Sequence, residues 1–192
     1  MRRTKKKIVP LFLRPAVEEI ILVDENDNVV GYEEKLSAHE NGGRLHRAFS
    51  VFIYNSAGQM LLQLRGRDKY HFGGLWTNAC CSHPRRGESS DEAVHQRLRF
   101  ELGFDTELRE VFTFVYQASD PNSGLTEHEL DHVFVGTHDG DLKPNVEEVD
   151  DWKWADVDAI RRGLQASPGN YSPWFRVAFE RLHGDIAPSG GS

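Results

Sequence analysis

Residues 78–84, Asn-Ala-Cys-Cys-Ser-His-Pro, hold both cysteines of this chain side by side, with a histidine two positions after the second. On extended backbone, residues two apart project from one face, so Cys81 and His83 point one way while Cys80 and Ser82 point the other. Adjacent cysteines cannot close a disulfide without severe strain, and the sequence has no third. Cys81 is therefore either apolar filler or a reactive thiol beside an imidazole. Glu127 and Glu129 repeat the two-residue spacing, as a solvated strand edge or as a carboxylate pair whose repulsion a cation relieves. His39 and His46 are seven apart, with Gly42-Gly43 arguing for a loop between them, and are either surface residues or ligands that reach one point. Together His39, His46, His83, Glu127 and Glu129 form an N3O2 set suited to Mn²⁺, Zn²⁺ or Mg²⁺.

These side chains need elements to carry them. Residues 19–33 and 48–65 each hold two β-prone runs around a turn, the first rich in Asn and Asp and the second centred on Ser56-Ala57-Gly58, and both read as hairpins. From Ser89 to Leu102 the apolar residues Ala93, Val94, Leu98 and Leu102 follow a helical period, with Ser89 or Ser90 as the cap and Gly103 as the stop. Residues 111–118 and 129–137 crowd β-branched and aromatic side chains and read as strands. Residues 151–157 read as a short strand entering a helix. Ser172-Pro173-Trp174 opens a last helix, Ser capping and Pro in the first turn, that runs to about His183. Strands dominate the first two thirds, with helices interspersed, which predicts an α+β layered domain.

Composition narrows the partners. The chain has 192 residues, with 23 Lys and Arg against 30 Asp and Glu, a formal charge of −7. Such a surface repels nucleic acid, so phosphate chemistry here requires a local basic pocket. No apolar run reaches the roughly 18 residues of a membrane span, and no secretion signal is evident, so the expectation is a soluble, cytoplasmic protein without membrane partners. The division expected is a flexible basic tail over 1–17, one domain over 18–184 and a flexible tail over 185–192.

The helix region has the spacing of the Nudix box, Gx5Ex7REUxEExGU, but not its full content. Glu88, Leu98, Glu101 and Gly103 match, whereas Ser82 replaces the first Gly, Gln96 the Arg, and Arg97 and Phe100 two of the metal-binding glutamates. A Nudix hydrolase activates water with several carboxylate-held Mg²⁺ ions on this helix. With one of three glutamates left, pyrophosphate hydrolysis becomes the alternative rather than the leading reading.

Over roughly residues 18–183 the chain resembles the type I isopentenyl-diphosphate isomerases, a Nudix-fold family, through LWTNACCSHP, GES…RFELG, TEHEL and YSPW. The resemblance implies an α/β/α sandwich with a mixed β-sheet and, in isoprenoid biosynthesis, interconversion of isopentenyl and dimethylallyl diphosphate by a 1,3-proton shift. It implies that Cys81 and Glu129 lie on opposite sides of the allylic unit, one delivering a proton and the other removing one. It places Tyr116 beside the carboxylate, assisting proton delivery, and Trp174 as the aromatic face over a cationic intermediate. It also implies that His39, His46, His83, Glu127 and Glu129 hold one divalent ion. Glu101, with the backbone carbonyl of Cys81 nearby, would hold a Mg²⁺ bridging to the diphosphate. Lys35, Arg65 and Lys69 match the family's diphosphate-binding positions. The implied partner is a small allylic or homoallylic diphosphate, and the expected assembly is a monomer or weak homodimer. Cys80 is left as buried filler. A third reading, a non-enzymatic domain with structural zinc at Cys81, His83 and the Glu pair, would unfold on chelation.

Overall fold

Strand β3 (His46–Tyr54) lies at the centre of the molecule because both of its faces are apolar. Phe49, Val51 and Ile53 alternate with Phe52, and all four are essentially buried. The computed structural model describes residues 18–184; the expected tails at 1–17 and 185–192 lie outside the described residues. Strands β1 (Glu19–Val23) and β2 (Val29–Glu34) form the first hairpin, and β1 joins β3 at Leu22 and His46. Between β2 and β3, helix α1 (Lys35–His39) is started by the Glu34 carboxylate, which accepts from the backbone N–H groups of Leu36 and Ser37.

The remaining strands complete one mixed sheet of nine. These are β4 (Met60–Arg65), β5 (Trp76–Thr77), β6 (Cys80–Ser82), β7 (Leu108–Ser119), β8 (Thr126–Thr137) and β9 (Val149–Ala155). β8 runs parallel to β3, in register from His46 opposite Glu129 to Tyr54 opposite Thr137, whereas β6 lies antiparallel to β3. The second predicted hairpin is only partly formed. β3 and β4 pair at Tyr54 and Met60 and then diverge, because β4 takes β9 and β5 as its neighbours.

Helix α2 (Ser90–Leu102) covers one face of the sheet, and α3 (Val157–Ala166) with α4 (Pro173–His183) covers the other, giving the α/β/α sandwich. Phe49, Val51, Leu61 and Cys80 pack with Val94 and Leu98 on the first face, while Phe52, Met60, Leu62 and Val133 pack with Ile160, Trp174 and Phe175 on the second. Single-residue alternation along each strand thus sorts neighbours into opposite layers. Ser89 caps α2 in a reciprocal capping box with Glu92, and Gly103 ends the helix with φ 74°. A Cβ on Gly103 would meet Lys143 Cβ at 2.7 Å, so glycine is required by space as well as by conformation.

Ser172 occupies the cap position of α4 but does not cap it with its side chain. Its hydroxyl instead meets Thr77 Oγ1 at 2.8 Å, a buried contact that ties the helix start to β5. Both hydroxyls are fully buried, and with Thr77 Oγ1 donating to Asn78 Oδ1 (2.8 Å) the Ser172 hydroxyl donates to Thr77.

Candidate active site

The two-residue spacing places the chemistry on the α3/α4 face. Along β6, Cys80 is fully buried among α2 side chains, while Cys81 faces the opposite layer and is half-buried. Along β8, Glu127, Glu129 and Asp131 project from one face. The parallel pairing with β3 then puts His46 directly opposite Glu129. His39 arrives from the end of α1, and the Gly42-Gly43 loop carries the chain past β8. Gly43 has φ 74°, and a Cβ there would lie 2.6 Å from the Thr126 carbonyl oxygen, so a larger residue would push the loop and its histidines away.

The five expected ligands converge. One ligand atom from each of His39, His46, His83, Glu127 and Glu129 lies within 4.8 Å of all the others, against about 4.4 Å for opposite ligands about 2.2 Å from a common ion. His39 and His46 give their Nδ1 atoms to the carbonyl oxygens of Lys35 (2.6 Å) and Arg44 (2.7 Å), which leaves both Nε2 atoms facing the carboxylates. His46 Nε2 is buried with no hydrogen-bond partner among the described residues, 3.7 Å from Glu129 Oε1 and 3.9 Å from Glu127 Oε2. A bare imidazole nitrogen aimed between two carboxylates fits a divalent cation. The chemistry of the donor set agrees.

Electrostatics show how tightly these charges are balanced. Burial raises the proton affinity of Glu127, but hydrogen bonds from His39 and His71 outweigh it and hold the carboxyl well below its usual range. Burial and the neighbouring Glu127 push Glu129 the same way, yet the imidazoles of His46 and His83 keep it ionised. His83 is pushed down to about 4, chiefly by burial. Burial also pushes the Cys81 thiol up to about 12, despite Arg65, and the Tyr116 phenol well above its ordinary value. At neutral pH Cys81 and Tyr116 hold their protons and Glu129 does not.

A cavity of about 50 Å³ connects these groups and is lined by Cys81, His83, Tyr116, Glu127, Glu129, Trp174, Lys35, Arg65 and Lys69. That is room for a few water molecules. Glu129 accepts from Tyr116 OH at Oε2 and lies 2.7 Å from His83 Nε2 at Oε1. Arg65 spans the cavity. Its guanidinium carbon sits 4.9 Å from the centre of the Trp174 ring, and Nη1 is 3.4 Å from Cys81 Sγ. A larger recess of about 790 Å³ adjoins it and shares Lys35, Lys69, Tyr70, Ser82, His83 and Arg97.

Glu101 approaches from the other layer, near enough that its charge adds to the proton affinity of Cys81. It projects from α2 into the other layer, where Gln63 Nε2 (2.9 Å) and Arg97 Nε (2.5 Å) bind its carboxylate, and it lines neither cavity. Arg97, which stands at a glutamate position of the box, links Glu101 to Glu148, and Lys69 also pairs with Glu148. Two cavity residues, His71 and Tyr70, have no counterpart in the sequence reading, and two more, Ser82 and Arg97, appear there only as departures from the Nudix box. His71 and Tyr70 follow Lys69 in a loop, where no periodicity marks their direction. Ser82 could be found only as the neighbour of Cys81 on the wrong face of an isolated strand.

The mixed sheet, the box helix and the polar cavity together define a Nudix protein, and the family model for the NUDIX domain matches residues 44–175. The chain belongs to the isopentenyl-diphosphate Delta-isomerase family within that class. It is 48% identical over 165 residues to "Isopentenyl-diphosphate Delta-isomerase 2" of Aromatoleum aromaticum, covering 86% of each chain. It is 43% identical over 170 residues to the Nocardia farcinica protein named isopentenyl-diphosphate Delta-isomerase, covering 88% of this chain and 97% of that one. Among solved structures, DR0079 from Deinococcus radiodurans superimposes with a TM-score of 0.71 at 20% identity, over 86% of this chain and 99% of that one, a likeness of fold.

Proposed function

We propose that this protein interconverts isopentenyl and dimethylallyl diphosphate by moving one proton on and another off the same allylic unit. The observation that carries the reading is that one small cavity is lined both by a protonated thiol, Cys81, and by an ionised carboxylate, Glu129, in contact with a protonated phenol, Tyr116. Between them Cys81 and Glu129 hold a single transferable proton at rest. Protonating the terminal alkene carbon and removing a proton from the carbon beside the diphosphate-bearing one shifts the double bond, and the net proton count is unchanged. With that proton on Cys81 the thiol delivers and Glu129 removes; with it on Glu129 the carboxyl delivers, assisted by Tyr116, and the thiolate removes. Burial of the whole set keeps water from capturing the tertiary cation.

Trp174 supplies the aromatic face for that cation. Its ring already draws the Arg65 guanidinium, so a positive charge is favoured at this spot. Entry of a five-carbon chain requires Arg65 to leave the ring and turn toward the diphosphate, which Lys35, Lys69 and Arg97 also face from the shared wall of the two cavities. His39, His46, His83, Glu127 and Glu129 would hold a Mn²⁺, Zn²⁺ or Mg²⁺ ion, and Glu101, on exchanging its Arg97 partner, would with the Cys81 carbonyl hold a Mg²⁺ for the diphosphate. A bound divalent ion supplies positive charge that offsets the buried carboxylates and tunes the proton affinity of Glu129. The same reading makes the protein a cytoplasmic monomer or weak homodimer acting on a small diphosphate, without nucleic acid or membrane; the charge of −7 supports the absence of a polyanion partner.

The experiment is incubation with Mg²⁺ and isopentenyl diphosphate in heavy water, followed by NMR. Dimethylallyl diphosphate carrying solvent deuterium is expected. Unchanged substrate would sink the proposal, and cleavage of nucleoside diphosphate derivatives in a parallel incubation would replace it with hydrolysis.

A further inference from the structure

His71 lies in the loop between β4 and β5 and is 4% exposed, with its ring against the metal-site carboxylate of Glu127. The two oxygens of Glu127 face different ways. Oε2 points into the ligand cluster, 2.8 Å from His39 Nε2 and 3.9 Å from the Nε2 atoms of His46 and His83. Oε1 is taken by His71 Nε2. His71 Nδ1 is buried without a partner among the described residues. With a proton on Nε2 the ring donates to Oε1, and Nδ1 is the nitrogen left unpaired.

We propose that His71 is the outer partner of the metal centre, a positioning residue that fixes the Glu127 carboxylate so that Oε2 is offered to the ion. The inference rests on the reading of these residues as a metal site. Histidine and carboxylate partners behind metal ligands commonly act this way, orienting the ligand and raising its effective affinity. Here the outer partner also belongs to the segment that carries Lys69. That segment is tied at its ends by the Gly66 N–H to the Glu148 carbonyl (2.9 Å) and the Gly74 N–H to the Arg65 carbonyl (3.0 Å), and by Lys69 to Glu148. At its centre it is tied by Arg65, whose Nε and Nη2 donate to the carbonyls of Phe72 (3.1 Å) and His71 (3.4 Å), and by the Phe72 N–H to Asp120 Oδ2 (3.0 Å). Phe72 itself has φ 48°, a left-handed conformation that a bulky residue adopts only when its surroundings impose it. His71 thus adds a tie between the segment presenting Lys69 and the ion's carboxylate, so metal loading and order in residues 66–74 are coupled, and each must favour the other.

The test uses Mn²⁺ alone, with free ion measured by EPR, and hydrogen exchange with and without it. His71→Ala is expected to weaken Mn²⁺ binding by about 10- to 100-fold, and His71→Gln, which keeps a donor, to recover most of the loss. In the wild-type protein Mn²⁺ should slow exchange in residues 66–74 as well as in α1; in His71→Ala it should slow exchange in α1 only. Equal affinity and equal loop protection in wild type and His71→Ala would overturn the inference while leaving the metal centre intact. Absence of Mn²⁺ binding by the wild type overturns both. If His71→Ala does not fold, the wild-type loop decides the matter: no metal-induced protection of 66–74 overturns the coupling.

Discussion

The adjacent cysteines allow a comparison in which one substitution should cost stability and the other catalysis. Cys80 is fully buried against Ala93, Val94 and Leu98 of α2, so Cys80→Ala removes one sulfur from a packed core. A deletion of that size costs about 1 kcal/mol, by analogy with the loss of a single buried methylene. For a domain of this length that lowers Tm by roughly 2–4 °C. Turnover should change by less than a few-fold, because Cys80 points away from the cavity. Cys81→Ala removes a proton-transfer group in contact with Arg65, whose loss is worth about 10²- to 10⁴-fold in rate. At 1.36 kcal/mol per tenfold, that is about 3–5 kcal/mol of barrier. The measurements are thermal melting by circular dichroism and the initial rate of deuterium incorporation into product. Comparable rate losses in the two variants, or a Cys81→Ala protein that keeps more than about a tenth of wild-type turnover, would refute the assignment of roles by strand alternation.

Glu129→Gln should abolish most turnover while Mn²⁺ still binds, because the remaining histidines and Glu127 stay in place and only the acid–base role is lost; full turnover by that variant would show that the carboxylate is only a ligand. The Cys81 thiol, pushed up to about 12 by burial, should react with iodoacetamide at a rate that climbs about tenfold per pH unit from pH 7 past pH 9, without a plateau. The sign for stability follows from the same displacement. An unfolded cysteine releases its proton near pH 8.5, so the folded state loses stability as pH rises from there toward about 12 and gains or loses nothing from this group below it. A Cys81→Ala protein should therefore show a shallower loss of Tm above pH 9, and identical slopes would contradict a buried neutral thiol.

What the sequence determined by itself was local. Alternation with period two fixed which of the cysteines shares a face with His83 and which of the glutamates act as a pair, since backbone extension alone sets those directions. The helix from Ser90 to Leu102 was legible at both ends, because Ser89 with Glu92 and Gly103 satisfy orphan backbone groups within a few residues. Which strands become neighbours is a different question, decided by burial of both faces of β3 and not by any short stretch. Only that choice placed His46 opposite Glu129, ended the second hairpin after a single pair, and diverted the Ser172 hydroxyl to Thr77. It also set Glu101 in the layer away from the thiol, laid Arg65 over Trp174 and brought His71 to the back of Glu127. Such contacts join loops and strands far apart in the chain, where side-chain direction follows from packing and leaves no period to read.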